Sequence, residues 1–160
     1  NMNYWEATVK YLAQDENGNL KKMSSLYLVE AYNHTDVEAT LTEKASQFVT
    51  GEFDIKPIRM IELSDVIDGR DKDTYYKLKF EYEFDKKYTE LSLVSANSIT
   101  DAVETLRESL SNNPGVANGF EIVSAQKTKI IDVFFKDNLL DMDLSFDTYS
   151  VSNPDADEAP

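Results

Sequence analysis

The sequence predicts an α+β fold made by internal duplication of a β-β-α-β unit, with about six mainly antiparallel strands and two helices packed on one side. Two observations lead to this fold. Residues 26–46 and 91–111 share ten identical residues when they are aligned at an offset of 65. Residues 5–11 and 76–84 each alternate apolar and polar side chains, which is typical of a half-buried strand.

The first unit opens with a predicted hairpin. The alternation over residues 5–11 predicts a strand, and a second strand is expected over 23–31. Between them, the polar stretch 15–19 contains Asn17-Gly18, a strong hairpin-turn signal. This stretch imitates the start of a calcium loop, but Leu20 stands where such a loop needs glycine, so we expect a turn.

A helix is predicted next in each unit. Asn33 and Ser98 are expected to cap the two helix N-termini, and Asp36 and Asp101 follow three residues later, where an acid complements the helix dipole. Apolar residues share one face of each predicted helix, which favours packing on a sheet. These residues are Val37, Leu41, Ala45 and Phe48 in the first helix, and Ala102, Leu106 and Leu110 in the second.

Each unit is expected to end in a third strand. The pattern places these strands at residues 53–63 and 120–131. Pro57 lacks a backbone N–H, so it predicts that the first of them is an edge strand or contains a bulge. The acids Asp65 and Asp132 occupy matching positions after these strands. Paired carboxylates can catalyse acid–base reactions, but caps or turns are the more economical interpretation.

The predicted organisation is a first repeat at residues 1–67, a linker at 68–74, a second repeat at 75–136 and an acidic tail at 137–160. The tail carries seven acids and no base, and therefore half of the net charge of −14. Such a composition predicts disorder, at least toward the end of the chain.

The first half of the tail alternates acidic residues with large apolar residues. Segments of this kind dock into basic-rimmed apolar grooves on partners and fold as they bind. A last strand or short helix packed on the body's own surface explains the pattern equally well. The candidate docking residues are Leu139, Leu140, Met142, Leu144, Phe146 and Tyr149.

A second candidate surface consists of Lys10, Tyr75, Lys77 and Lys79, which lie on the polar sides of predicted strands. Aromatic residues interleaved with lysines can bind single-stranded nucleic acid. Acidic residues occur on the same faces, however, and mixed charge is typical of an ordinary solvated sheet. The solvated face is therefore the favoured interpretation.

Composition limits the chemistry that is open to the chain. Thirty acids against sixteen bases argue against a nucleic-acid binder that acts through bulk positive charge. The chain has no Cys and one His, which excludes thiol catalysis, disulfides and multi-histidine metal sites. His34 precedes the first predicted helix and is expected at the surface. No signal peptide or apolar run of about 20 residues is visible, so we expect a cytoplasmic protein.

Four segments, in this order and spacing, resemble an uncharacterised family of small proteins from Bacteroidetes, their bacteriophages and mobile elements, known as a domain of unknown function. The segments are residues 5–11 (WEATVKY), 27–31 (YLVEA), 51–53 (GEF) and 131–134 (IDVF). The resemblance covers nearly all of residues 4–135. It implies a bacterial or phage setting but supplies no activity, cofactor or catalytic residue.

These observations favour a non-enzymatic binding or interaction protein of phage or mobile-element origin, whose tail docks onto a protein partner. One alternative is a single-stranded-DNA-binding accessory protein whose acidic tail competes for the DNA site. Another is an acidic mimic of nucleic acid that inhibits an enzyme. We expect no cofactor, no metal and no membrane association. The oligomeric state and the identity of the partner are left open, and any ligand site is expected where the two units meet.

Overall fold

The computed structural model of the chain describes residues 1–69, 73–116 and 118–136. Within these ranges it contains two α-helices and eight strands, which makes an α+β fold. In chain order, the elements are β1 (Asn3–Gln14), β2 (Leu20–Ala31), α1 (His34–Ala45), β3 (Phe53–Ile61), β4 (Asp65–Ile67), β5 (Thr74–Glu83), β6 (Lys87–Ala96), α2 (Ile99–Leu110), β7 (Glu121–Lys127) and β8 (Ile130–Phe134). A short 3₁₀ turn covers Pro114–Val116.

The strands form two four-stranded sheets. Sheet one has the order β3-β1-β2-β8, and sheet two has the order β4-β6-β5-β7. Four pairs of strands are antiparallel: β1–β2 and β1–β3 in sheet one, and β5–β6 and β5–β7 in sheet two. The pairs β2–β8 and β4–β6 are parallel. The expectation of a mainly antiparallel sheet is therefore confirmed. However, the last short strand of each half of the chain joins the sheet of the other half.

This exchange explains why eight strands are present where about six were expected. The segments predicted as single strands, 53–63 and 120–131, each end earlier than predicted, and a further strand follows in the other sheet. At the second crossing, the N–H and hydroxyl of Thr128 both donate to the carbonyl of Tyr75, at 2.9 and 2.8 Å. At the first, the N–H of Ser64 donates to the carbonyl of Leu91 at 2.8 Å.

The sequence analysis predicted that both helices pack on one side, and this prediction is wrong. Each helix packs on a different sheet. Helix α1 packs on sheet one through Val37, Leu41 and Ala45, and α2 packs on sheet two through Ala102 and Leu106. The sheet faces opposite the helices pack against each other, which gives four layers in the order helix, sheet, sheet, helix. The residues buried between the sheets, called here the inter-sheet core, are Leu28, Tyr75, Leu93, Ile130 and Val133.

Both predicted helix caps are present and have the same geometry. The side chain of Asn33 accepts the N–H of Asp36 at 2.9 Å, and the hydroxyl of Ser98 accepts the N–H of Asp101 at 3.0 Å. Each aspartate in turn accepts the backbone N–H of the residue before the cap. Because donors at the start of a helix lack partners within the helix, these bonds fix where each helix begins.

Two sequence-predicted local features of sheet one are confirmed. Asp15 accepts the N–H groups of Asn17 and Asn19 at 2.9 Å, so residues 15–19 form a turn that joins β1 to β2. Gly18 has φ of +82°, a conformation that favours glycine. Pro57 lies in the edge strand β3, and the register of β3 with β1 shifts beside it.

We expect Leu93→Ala to lower the free energy of unfolding of the whole body by about 2–5 kcal/mol, because Leu93 is fully buried between the sheets. Trp5, the only tryptophan, lies in sheet one and reports on the sheet that does not contain Leu93. Urea unfolding should show the same lowered midpoint by Trp5 fluorescence and by far-UV circular dichroism.

Leu12→Ala is the matched control, because Leu12 is 52% exposed and its loss should change stability by only about 0.5 kcal/mol or less. An unchanged Trp5 midpoint in Leu93→Ala would show that the two sheets unfold independently, which the exchanged strands argue against.

Candidate functional site

The four residues predicted as a nucleic-acid surface do not form one open face. Tyr75 belongs to the inter-sheet core, is 4% exposed and donates its hydroxyl to Asp68 at 3.0 Å. Burial, together with that hydrogen bond, raises the pKa of Tyr75. Lys77 Nζ lies 2.6 Å from Glu6 Oε2, and the two side chains are 24% and 14% exposed. Tyr75 is therefore closed to base stacking, and Lys77 is held by a carboxylate from the other sheet.

The remaining two lysines are exposed and line different depressions. Lys79 lines a cleft of about 600 Å³ between the sheets, together with Tyr4, Ser64 and Leu91. Burial, followed by the nearby carboxylates of Glu30 and Asp65, raises the pKa of Tyr4. This cleft lies where the two halves of the chain meet, and polar and apolar residues both line it.

Lys10 lines a separate groove of about 590 Å³ beside the β1–β2 hairpin, and its neighbours there include Leu12 and Lys22. Leu12 is exposed although it is apolar, and it alternates with Tyr11, which packs against the core under α1. In the sequence, the exposure of Leu12 is indicated by its position, because it follows Glu6, Thr8 and Lys10 at every second residue of the strand.

The other sequence candidates make local interactions. Asp65 and Asp132 each accept the N–H of the following residue at 2.8 Å, which agrees with a role in local backbone bonding. His34 is exposed, and its Nδ1 lies 3.5 Å from Glu38. No group of three or more histidine, aspartate or glutamate side chains within the described ranges is arranged to hold a metal ion.

The tail residues Leu139, Leu140, Met142, Leu144, Phe146 and Tyr149 lie outside the described residues. Lys136, the last of the described residues, is bound to the folded body. The N–H of Lys136 donates to Glu30 at 3.0 Å, and its ammonium group donates to Asp36 and lies 5.6 Å from the centre of the Tyr32 ring. These contacts attach the chain to the start of α1.

The Asp36 carboxylate links this attachment to the helix cap. The hydrogen bond from Lys136, followed by the one from the Tyr32 N–H, holds the pKa of Asp36 below its ordinary value of 3.8. Sequence reasoning found Asp36 as a helix-capping residue but missed its pairing with Lys136, because the two are 100 positions apart.

The strand β8, which precedes this attachment, pairs only with β2 among the described residues, so its other side is an open edge of sheet one. Ile131 on this strand and Phe135 just after it are 54% and 47% exposed. The sequence pattern places Ile131 at the end of the predicted strand 120–131 and in the family segment 131–134, and it assigns no role to Phe135. Phe135 directly precedes Lys136, from which the tail begins, and Ile131 lies earlier, within β8.

Residues 3–136 match DUF4494, a domain of unknown function. The chain belongs to the DUF4494 family. This confirms the resemblance that the four sequence segments suggested, as far as the family itself is concerned. A comparison with curated proteins gave no match. Neither helix that the structure describes in this DUF4494 domain is long and apolar enough to span a membrane.

The pairing of Asp36 with Lys136 predicts a pH dependence of stability. Because the folded-state pKa of Asp36 is lowered, its ionised form contributes stability above pH 3.8, and that contribution is lost as the pH falls through the folded-state pKa. Lys136→Met should raise the pKa of Asp36 toward 3.8 and reduce stability at neutral pH by about 0.5–1 kcal/mol. An NMR titration of the Asp36 carboxyl carbon and thermal unfolding at several pH values would measure both effects.

Lys21→Met is the control, because it removes the same charge from an exposed position at the start of β2, whereas Asp36 follows the other end of that strand. If the pKa of Asp36 is the same in Lys136→Met as in the unaltered protein, the ammonium group does not hold the carboxylate in solution.

Proposed function

We propose that this DUF4494 protein is a non-enzymatic interaction protein whose folded body presents the acidic tail, residues 137–160, to a protein partner. One observation carries the proposal. Lys136 is bound through both its backbone and its side chain to Glu30 and Asp36, so the tail leaves the body at a fixed point at the start of α1. A fixed origin gives a docking segment a defined position relative to the body.

The chemistry of the tail supports a protein rather than a nucleic acid as the partner. The apolar residues Leu140, Met142, Leu144 and Phe146 occupy every second position, and Asp141 and Asp143 lie between them. A groove with apolar walls and a basic rim is complementary to such a segment, whereas phosphates would be repelled. Ordering of the tail on binding would make the interaction reversible and moderate in affinity.

The resemblance to proteins of Bacteroidetes and their phages supports a bacterial or phage-infected cytoplasm as the setting. We further propose that the two halves arose by duplication of one unit. Support comes from the ten identities at an offset of 65 and from the same order of hairpin, helix and edge strand in both halves. The matching N-caps at Asn33 and Ser98 add to this support.

The alternative of single-stranded DNA binding has weaker support. Its proposed stacking residue, Tyr75, is buried, and Lys77 is paired with Glu6. Lys10 and Lys79 remain exposed but line different depressions. A continuous strand of nucleic acid would have to bind them separately.

The first test is capture of a partner by the tail of the full-length protein from a lysate of a Bacteroidetes host, with identification by mass spectrometry. Leu144→Asp combined with Phe146→Asp removes two apolar groups, and we expect it to reduce the recovery of specific partners at least tenfold. The control, Ser150→Asp with Ser152→Asp, adds the same charge to the tail and should retain them. Equal recovery by both variants would contradict docking through the apolar residues.

The second test is fluorescence anisotropy with a labelled single-stranded oligonucleotide at low and moderate salt. We expect no saturable binding by the full chain or by a chain that ends at Lys136. Salt-sensitive binding that strengthens when the tail is removed, and that is lost in Lys10→Glu with Lys79→Glu, would instead support the DNA-binding alternative.

A further inference from the structure

Within the ranges that the structure describes, β8 is an edge strand of sheet one and pairs only with β2. Natural edge strands are protected by proline, bulges, charge or shortness. The other edge of sheet one, β3, contains Pro57 and a shift in register, and the edge strand β4 of sheet two has three residues. β8 also has a shift in register, at Ile131, but it has no proline and carries a single charge, Asp132.

The apolar surface along this edge is exposed. Ile131 and Phe135 are 54% and 47% exposed, while their neighbours Ile130 and Val133 are buried in the inter-sheet core. Because β8 contributes to the inter-sheet core, a further strand beside it could add its own apolar side chains to that core.

The next segment of the chain has the composition that such a position requires. Asp137 and Asn138 are residues that favour tight turns, and they are followed by apolar residues at every second position from Leu140 to Phe146. Antiparallel strands can be joined by a short connection, so residues 139–146 can return along β8 without a long loop. At about 3.3 Å per residue, these eight residues span about 26 Å and exceed the length of β8.

Charge also favours this position over a random path of the tail. Lys44 Nζ lies 5.2 Å from the centre of the Phe134 ring, beside β8, and Lys136 lies at its end. The carboxylate of Asp132 accepts a hydrogen bond from the N–H of Val133, so the backbone partly compensates its charge. Lys136 is already paired with Asp36, so Lys44 is the cation that the acids of the tail would meet at this edge.

We propose that residues 139–146 add to sheet one as a fifth strand, antiparallel to β8, in the free protein. The strand covers Ile131 and Phe135 and closes the open edge. One consequence rests on the proposed function: a partner that binds the tail must first displace this strand. The tail is then held back until a partner with higher affinity is present.

The test uses the full-length protein alone in solution, with no partner and no nucleic acid. We expect cross-strand NOEs between residues 139–146 and β8, and slowed hydrogen exchange of β8 amides. Leu144→Asp with Phe146→Asp should abolish the NOEs and speed exchange of those β8 amides by at least tenfold. Ser150→Asp with Ser152→Asp should change neither. The amides of β7, an edge strand of the other sheet, are an internal reference and should exchange alike in all three proteins.

Absence of these NOEs, or β8 exchange that is the same in all three proteins, would overturn the proposal. A sample mixed from labelled and unlabelled chains identifies NOEs between molecules, and NOEs found only there would mean that a second copy covers the edge, which also overturns it. Partner capture is measured separately. If capture succeeds without strand addition, this inference fails alone, and if strand addition occurs without capture, the proposed function fails alone.

Discussion

The structure depends on the packing of two sheets through the faces that do not carry helices. Each half of the chain supplies a hairpin, a helix and a third strand, and the helix covers only one side of the sheet. The other side carries Leu28 in sheet one and Leu93 in sheet two, and both are fully buried. Neither sheet could leave these groups in water without losing the free energy of apolar burial, so the two halves must associate.

The exchanged strands make this association part of the chain's topology. β8 brings Ile130 and Val133 from the second half onto sheet one, and β4 pairs in parallel with β6 of sheet two. Separation of the halves would therefore break backbone hydrogen bonds as well as apolar contacts. The ion pair of Glu6 with Lys77 adds a directional contact between the sheets, and a shift of one sheet against the other would leave both charges partly buried without a partner.

The same arrangement decides which surfaces are available for function. Packing of the sheets buries Tyr75 and engages Lys77, while Lys10 and Lys79 are left at separate depressions. It also places the end of β8 beside the start of α1, where Lys136 reaches Glu30 and Asp36. The edge strand β8, the exposed Ile131 and Phe135, and Lys136, where the tail begins, consequently belong to one short stretch of the chain, and the proposed role of the tail is built on this stretch.

The sequence by itself determined the local structure: the strand alternation, the caps at Asn33 and Ser98, the turn at 15–19 and the edge position of Pro57. These features depend on neighbouring residues, whose chemistry can be read along the chain. Composition also identified the tail as the candidate interaction segment.

Only the tertiary structure decided that the final strands exchange sheets, that the helices lie on opposite outer faces and that Tyr75 is buried. A period of two shows which side of a strand is apolar, but it does not show which sheet the strand joins. Likewise, alternating lysine and glutamate residues on a strand predict a solvated face. Only the packing of the second sheet shows that Lys77 pairs with Glu6.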